Sequence, residues 1–225
     1  METAVSRTAL VTGASSGIGR EVARQLAELG WRVIAVARNE QRLQDLAAEA
    51  PGVEPATADL TRFPYPDLIP ERVDALVHAA GIVPVGTVEE ATHEDWTSAF
   101  SLNVTAGAEL VRQALPQLRR DRGTVVFVNS GAGVTPLPRN TLYGATKHAL
   151  RALANGLRKD EENHGVRVTS VFPGPTDTPL FTGDVDRSEL IQPATVARAI
   201  ITAITASDDT QLTEIQVRPR REISW

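Results

Sequence analysis

The chain has 225 residues, a formal net charge of -5 and no cysteine; that length suits one domain with a sizeable core, and the missing thiols exclude disulfides, thiolate metal sites and cysteine nucleophiles while suiting a reducing compartment. Scattered Lys and Arg in an acidic chain speak against a nucleic-acid partner, which needs clustered cations. With no basic-then-apolar leader and no run of about 18 apolar residues, the reading is a soluble, cytoplasmic protein with no membrane partner.

Taken in chain order, the elements alternate. A first strand over Thr8 to Thr12 runs into TGASSGIG at 12 to 19, and a helix follows in which Ile18, Val22, Leu26 and Leu29 share one face. A glycine-rich turn between a strand and a helix is the context of a phosphate loop: Gly13 and Gly17 permit the tight turn, Gly19 lets helix and sheet approach, and the helix N-terminus offers amides to a pyrophosphate. Gly30 fits that helix's end. The second strand, Arg32 to Ala37, ends at Arg38, where an acidic residue holding a ribose 2′-hydroxyl is the alternative; a guanidinium there favours NADP(H) over NAD(H). A weaker strand at Val53 to Ala58 leads to Asp59, placed either to meet an adenine amine or to cap a helix. The proline cluster FPYPDLIP at 63 to 70 predicts a shortened crossover helix before a strand at Ala75 to Ala79.

Further strands are expected at Thr124 to Asn129, Val166 to Phe172 and Thr213 to Arg218, with Gly165 at a helix end and a last helix opening at Pro193 with Val196, Ile200 and Ile204 on one face. Continuous valine-rich strands alternating with helices predict an α/β fold: a single-domain, Rossmann-type doubly wound sheet of seven mostly parallel strands with helices on both faces. TLYGATKHAL at 141 to 150 sets Tyr143 and Lys147 four positions apart, on one helix face. A phenol with a pKa of about 10 must drop by roughly 3 units to exchange protons near neutrality, about 4 kcal/mol. An ammonium about 4 Å away supplies roughly that at an effective dielectric near 20. The phenol is then a general acid for a carbonyl oxygen and the phenolate a base for an alcohol. Ser130, at a strand's C-terminal end, is placed to orient the carbonyl and stabilise oxyanion charge.

TGASSGIG, Asn103 in SLNVTAG, Ser130 in VNSGAG, Tyr143 and Lys147 in YGATK, and PGPTDT at 173 to 178 together resemble the short-chain dehydrogenase/reductase family in its compact single-domain branch, over about residues 7 to 218. The resemblance implies Asn103, Ser130, Tyr143 and Lys147 as catalytic residues, with Lys147 also on the nicotinamide ribose and Asn103 supporting a proton-relaying water. It implies a cofactor site of Gly13, Ser15, Ser16, Gly17, Ile18, Gly19, Arg38, Asp59, Leu60, Ala80, Gly81, Tyr143, Lys147, Pro173, Gly174, Thr176 and Thr178. It also implies a homodimer or homotetramer acting on a small-molecule carbonyl or alcohol.

One departure is His78 where the family places the first asparagine of Asn-Asn-Ala-Gly, a residue that braces neighbouring strands; a structural role is expected for it. His93, His148 and His164 lack ligand spacing, so no metal is expected. Residues 132 to 140 and 175 to 192 are expected over the substrate, with Leu137, Leu180 and Phe181 as apolar contacts; the second segment is short, which suggests a small or open site. RPRR at 218 to 221 reads as a mobile tail or, less favoured, a subunit contact. Two other functions use the same fold: a dinucleotide-binding redox sensor, which needs the glycine loop but not Tyr143 and Lys147, and a lyase or epimerase, which belongs mostly to longer relatives.

Overall fold

The computed structural model describes residues 7–65, 67–136, 138–183 and 185–221. Seven strands form one parallel sheet: β1 (Thr8–Thr12), β2 (Arg32–Ala37), β3 (Val53–Thr57), β4 (Ala75–His78), β5 (Thr124–Val128), β6 (Arg167–Pro173) and β7 (Glu214–Val217), in spatial order β3-β2-β1-β4-β5-β6-β7. Every anticipated strand is found within one residue at either end. β1, β4 and β5 are buried along their whole length, as strands covered on both faces must be. The edge strands β3 and β7 are partly exposed.

Helices α1 (Gly17–Glu28), α2 (Glu40–Glu49) and α6 (Pro193–Ile204) cover one face, packing Val22, Leu26, Leu43, Leu46, Val196 and Ile200 against alternate strand residues. On the other face lie α4 (Ala106–Asp121) and α5 (Thr141–Asp160), whose Leu110, Leu118, Leu150 and Ala154 meet Leu10, Leu76, Val125 and Phe127. A short α3 (His93–Phe100) runs through a π turn, Ser101–Thr105, into α4. Leu29, expected on the buried face of α1, is 59% exposed: it lies one residue beyond the helix, where the chain turns away through Gly30 at φ +81°.

The crossover from β3 to β4 also differs from expectation. Among the described residues between Thr57 and Ala75 there is no helix at all, rather than a shortened one. Prolines at 64, 66 and 70 withhold amides from any helical ladder, and the buried Tyr65 hydroxyl donates to the Leu60 carbonyl, closing the irregular segment on itself.

Strand order reverses beside β1: the chain moves outward through β2 and β3, then crosses to β4 on the other side. Crevices at the C-terminal ends of strands on either side of such a reversal are where doubly wound sheets take ligands. The close approach here depends on Gly19. A Cβ on it would lie 2.6 Å from the Gly13 carbonyl oxygen and 2.8 Å from that of Thr12. Gly19→Ala is therefore expected to cost about 1–3 kcal/mol of stability. Thermal melting checks this; a variant that melts as wild type would show that the loop yields freely.

Candidate active site

The loop after β1 carries the anion-binding geometry. Gly13 and Gly17 take φ of +68° and +55°, conformations costly for any residue with a Cβ, and α1 opens at Gly17 behind an extended Ser16. First-turn amides lack intrahelical acceptors and carry the positive end of the helix dipole. Ser15, Ser16 and Gly17 border a pocket of about 360 Å³ whose other walls are Arg20, Arg42, Asp45, Glu49 and Pro179. Arg20 is engaged with Glu49 at 2.6 Å, while Arg42 adds a second cation to the pocket wall. These two arginines carried no signal in the sequence, because only folding brings α2 beside the loop. Ile18 packs partly buried against the core below.

Arg38 directly follows β2 and is exposed. Asp59 caps a turn, not a helix: its Oδ1 accepts from the amide and hydroxyl of Thr61 at 3.0 and 2.7 Å. Those bonds, helped by the charges of Arg62 and Arg38, hold its carboxyl below its ordinary pKa. Leu60 beside it is buried. The glycine loop and the cations in the pocket wall beside it fit the phosphates of a dinucleotide.

Across the crevice, the four residues expected to do chemistry converge. Ser130 follows β5, and its Oγ accepts from the Ala132 amide at 3.2 Å. Tyr143 and Lys147 lie on the first turns of α5. Burial raises the phenol's pKa, and the facing Ser130 hydroxyl opposes this. Lys147 is only 5% exposed; its Nζ donates to the Val128 carbonyl at 2.9 Å and lies 5.6 Å from the centre of the Tyr143 ring. Burial pushes its pKa down to about 8. The expected electrostatic picture is thus corrected: the ammonium sits over the ring and is drawn to the end of β5, and in this arrangement the phenol is held protonated.

Asn103 occupies the middle of the π turn and is fully buried. Its side chain clamps Ile82, accepting from the amide at 2.9 Å and donating to the carbonyl at 3.0 Å, and donates to Thr146 Oγ1 at 3.0 Å. Thr146 in turn donates to the Tyr143 carbonyl at 2.7 Å. Thr146 was missed in the sequence although it stands inside YGATK; it ties the Asn103 turn to the helix carrying the phenol.

His78 is buried, with Nδ1 3.2 Å from the Thr12 hydroxyl, and burial, aided by the charge of Lys147, lowers its pKa to about 4. Ala80 and Gly81 follow it at the crevice wall, with Gly81 against Asn103. From the other side, the Gly174 amide after Pro173 donates to Val217 at 2.8 Å, and buried Thr176 bonds back to Gly174 at 2.8 Å. Thr178 reaches over the phosphate loop, its Cγ2 3.0 Å from where a Cβ on Gly17 would stand.

Of the expected apolar contacts, Leu180 is exposed and Phe181 partly buried, and Leu137 lies outside the described residues. The start of the RPRR stretch does not trail away as a tail. Arg218 Nη1 comes within 3.4 Å of a Cβ position on Gly131, next to Ser130, and Pro219 packs at Gly174; residues 222 to 225 lie outside the described residues. Among the described residues no helix is long and apolar enough to cross a membrane, and no three His, Cys, Asp or Glu group as metal ligands.

Comparison with known proteins agrees with this architecture. The family model described as short chain dehydrogenase matches residues 7–188. A short-chain type dehydrogenase/reductase of Sinorhizobium fredii is 34% identical over 96% of this chain and 92% of its own, and an oxidoreductase of Staphylococcus epidermidis is 30% identical over 95% and 97%. Among solved structures, an alcohol dehydrogenase of the archaeon Thermococcus sibiricus complexed with 5-hydroxy-NADP superposes with a TM-score of 0.86 at 25% identity, covering 97% of this chain and 99% of that one. A short-chain dehydrogenase/reductase family protein at 30% identity gives 0.85 over 94% and 95%. With the motifs, the parallel sheet and these matches in agreement, the chain belongs to the short-chain dehydrogenase/reductase family of oxidoreductases.

Proposed function

We propose that the protein is an NADP(H)-dependent oxidoreductase interconverting a small ketone or aldehyde and its alcohol. The observation carrying this reading is the meeting of Ser130, Tyr143, Lys147 and Asn103 at one crevice beside a glycine phosphate loop. A bound nicotinamide supplies or accepts the hydride. Ser130 positions the carbonyl oxygen and donates to it as negative charge develops there. Tyr143, held protonated by burial, gives that oxygen its proton in reduction and recovers one by way of Lys147 and the water that Asn103 would support. Lys147 holds a positive charge beside the phenol ring and stabilises the phenolate while it exists. Asn103 fixes the turn and, through Thr146, the first turn of α5. Purified protein mixed with NADPH and a panel of ketones and aldehydes, followed at the nicotinamide absorbance, tests the reading. NADPH binding without oxidation by any carbonyl would replace it with the sensor function.

NADP(H) preference rests on Arg38 after β2, with Arg42 a further cation in the wall of the pocket beside the phosphate loop. A charge-assisted hydrogen bond is worth about 1.5–3 kcal/mol, so Arg38→Ala is expected to raise the KM for NADPH by about 10- to 100-fold and leave that for NADH nearly unchanged. Parallel titrations check it, and equal affinity of the wild type for both dinucleotides would remove the role. The acidic charge, the family and the short loop at 175 to 192 support a cytoplasmic homodimer or homotetramer acting on small molecules; light scattering reads the assembly state directly.

A further inference from the structure

His78 sits 1% exposed at the end of β4 in surroundings that determine where its proton resides. The Thr12 hydroxyl accepts from the amides of Ala79 and Ala80, each at 3.1 Å, which occupies both its lone pairs. Its one proton must therefore be donated. His78 Nδ1 at 3.2 Å is the nearer acceptor, with the Val77 carbonyl 3.5 Å away. Nδ1 thus accepts, and the ring proton is on Nε2. That nitrogen has no hydrogen-bond partner among the described residues, and the backbone of Leu102 and Asn103, inside the π turn, lies beside the ring.

The ring also needs room. A Cβ on Gly107, in the first turn of α4, would lie 2.9 Å from His78 Cδ2 and 3.2 Å from Cγ, with Phe127 Cε1 also at 3.2 Å. Phe127 closes the other side edge-on, its ring centre 6.4 Å from the imidazole's. An imidazole fits here because position 107 has no side chain.

We propose that His78 and Gly107 form a size-matched pair, in which a neutral imidazole carrying its proton on Nε2 positions the Asn103 turn against Thr12 and the Ala79–Gly81 wall of the crevice. His78 is a positioning residue: it acts through Thr12 and the turn and reaches no reacting atom. Burial and the neighbouring positive Lys147 keep the ring neutral, so one hydrogen-bond pattern holds throughout the working pH range.

Three measurements test this, of which only the kinetic one rests on the reductase reading above. In ¹⁵N-histidine-labelled protein, one of the four histidines should show Nε2 protonated and Nδ1 bare, with shifts constant from about pH 5.5 to 9; a buried histidine protonated on Nδ1, or four ordinary titrations, overturns the proposal. Gly107→Ala should lower the melting temperature by several degrees, and His78→Ala, which removes Cγ and Cδ2, should make the same alanine much less harmful, because the crowding atoms are gone. Equal damage in both backgrounds overturns the pairing. Measured well below the melting point, His78→Leu should cut kcat about tenfold or more, while His78→Asn, which can still accept and donate, stays within about threefold. A leucine variant with wild-type kcat reduces His78 to filling. Should no carbonyl substrate turn over, the spectrum and the double variant still decide the question.

Discussion

Tyr143→Phe is expected to leave a folded protein that binds NADPH as the wild type does and reduces its carbonyl substrate about 10³-fold more slowly, within the 10²–10⁴ range of a lost general acid. Only the hydroxyl is removed. The ring stays under Lys147, so the cation–π contact survives, and the amine keeps its bond to Val128. Burial disfavours the ionised phenol, so the deleted oxygen was not contributing a buried charge on which folding depends, and the melting temperature should move by no more than a few degrees. What disappears is the hydroxyl facing Ser130 that would deliver a proton to an oxygen held there. The residual rate reflects cofactor and substrate held together. Stopped assays of kcat, with NADPH affinity and melting measured on the same preparation, separate these contributions. A phenylalanine variant retaining kcat within about tenfold would mean that protons reach the substrate by another path.

The architecture was legible because burial on both faces selects unbroken valine-rich runs: TALVT, RVIAVA and TVVFV could hardly be anything else, and each is a strand within a residue of its expected ends. The four catalytic candidates were legible as a pattern, and they do meet. What stayed hidden depends on backbone detail that side-chain periodicity does not encode. A π turn adds one residue to a helical circuit and leaves the apolar stripe of its neighbours intact, so the exact seat of Asn103 had no signature. The same holds for the β3–β4 connection, where prolines forecast disruption but not that the described residues there would hold no helix. The packing of Arg218 beside Gly131 joins residues 87 positions apart, contact information that one sequence lacks. The largest misjudgement concerned Lys147. Helical spacing put amine and phenol on one face, but the choice between the hydroxyl and the Val128 carbonyl is made by where β5 ends.

Lys147 should show the opposite balance of function and stability when replaced by methionine, which keeps most of its length without its charge. The amine's pKa is pushed down to about 8 by burial, against about 10.4 in the unfolded chain. The unfolded state therefore binds more protons than the native state between about pH 8 and 10.4, and stability rises with pH across that window. Below it both states are protonated, and the native protein carries the full cost of a buried ammonium, about 3 kcal/mol. Methionine removes that cost and forfeits the charge-assisted bond to Val128, worth about 1.5–3 kcal/mol, leaving a net gain of up to about 1.5 kcal/mol at neutrality. For a chain of this size that is up to about 3–6 °C in melting temperature. The gain should vanish by about pH 10.5, so the difference between the two proteins, melted in parallel at pH 7 and pH 10.5, isolates this one group from all others that titrate. Over the same series kcat should fall by about 10²- to 10⁴-fold, because the phenolate formed during turnover loses the cation beside it. A methionine variant that melts no higher than wild type at pH 7 would show that the amine is solvated or paired well enough to cost nothing. One that keeps its kcat would show that the charge is not what supports the phenolate. Together a more stable and nearly inactive variant would mean that the site holds its ammonium out of water at the expense of the fold, for the sake of the reaction.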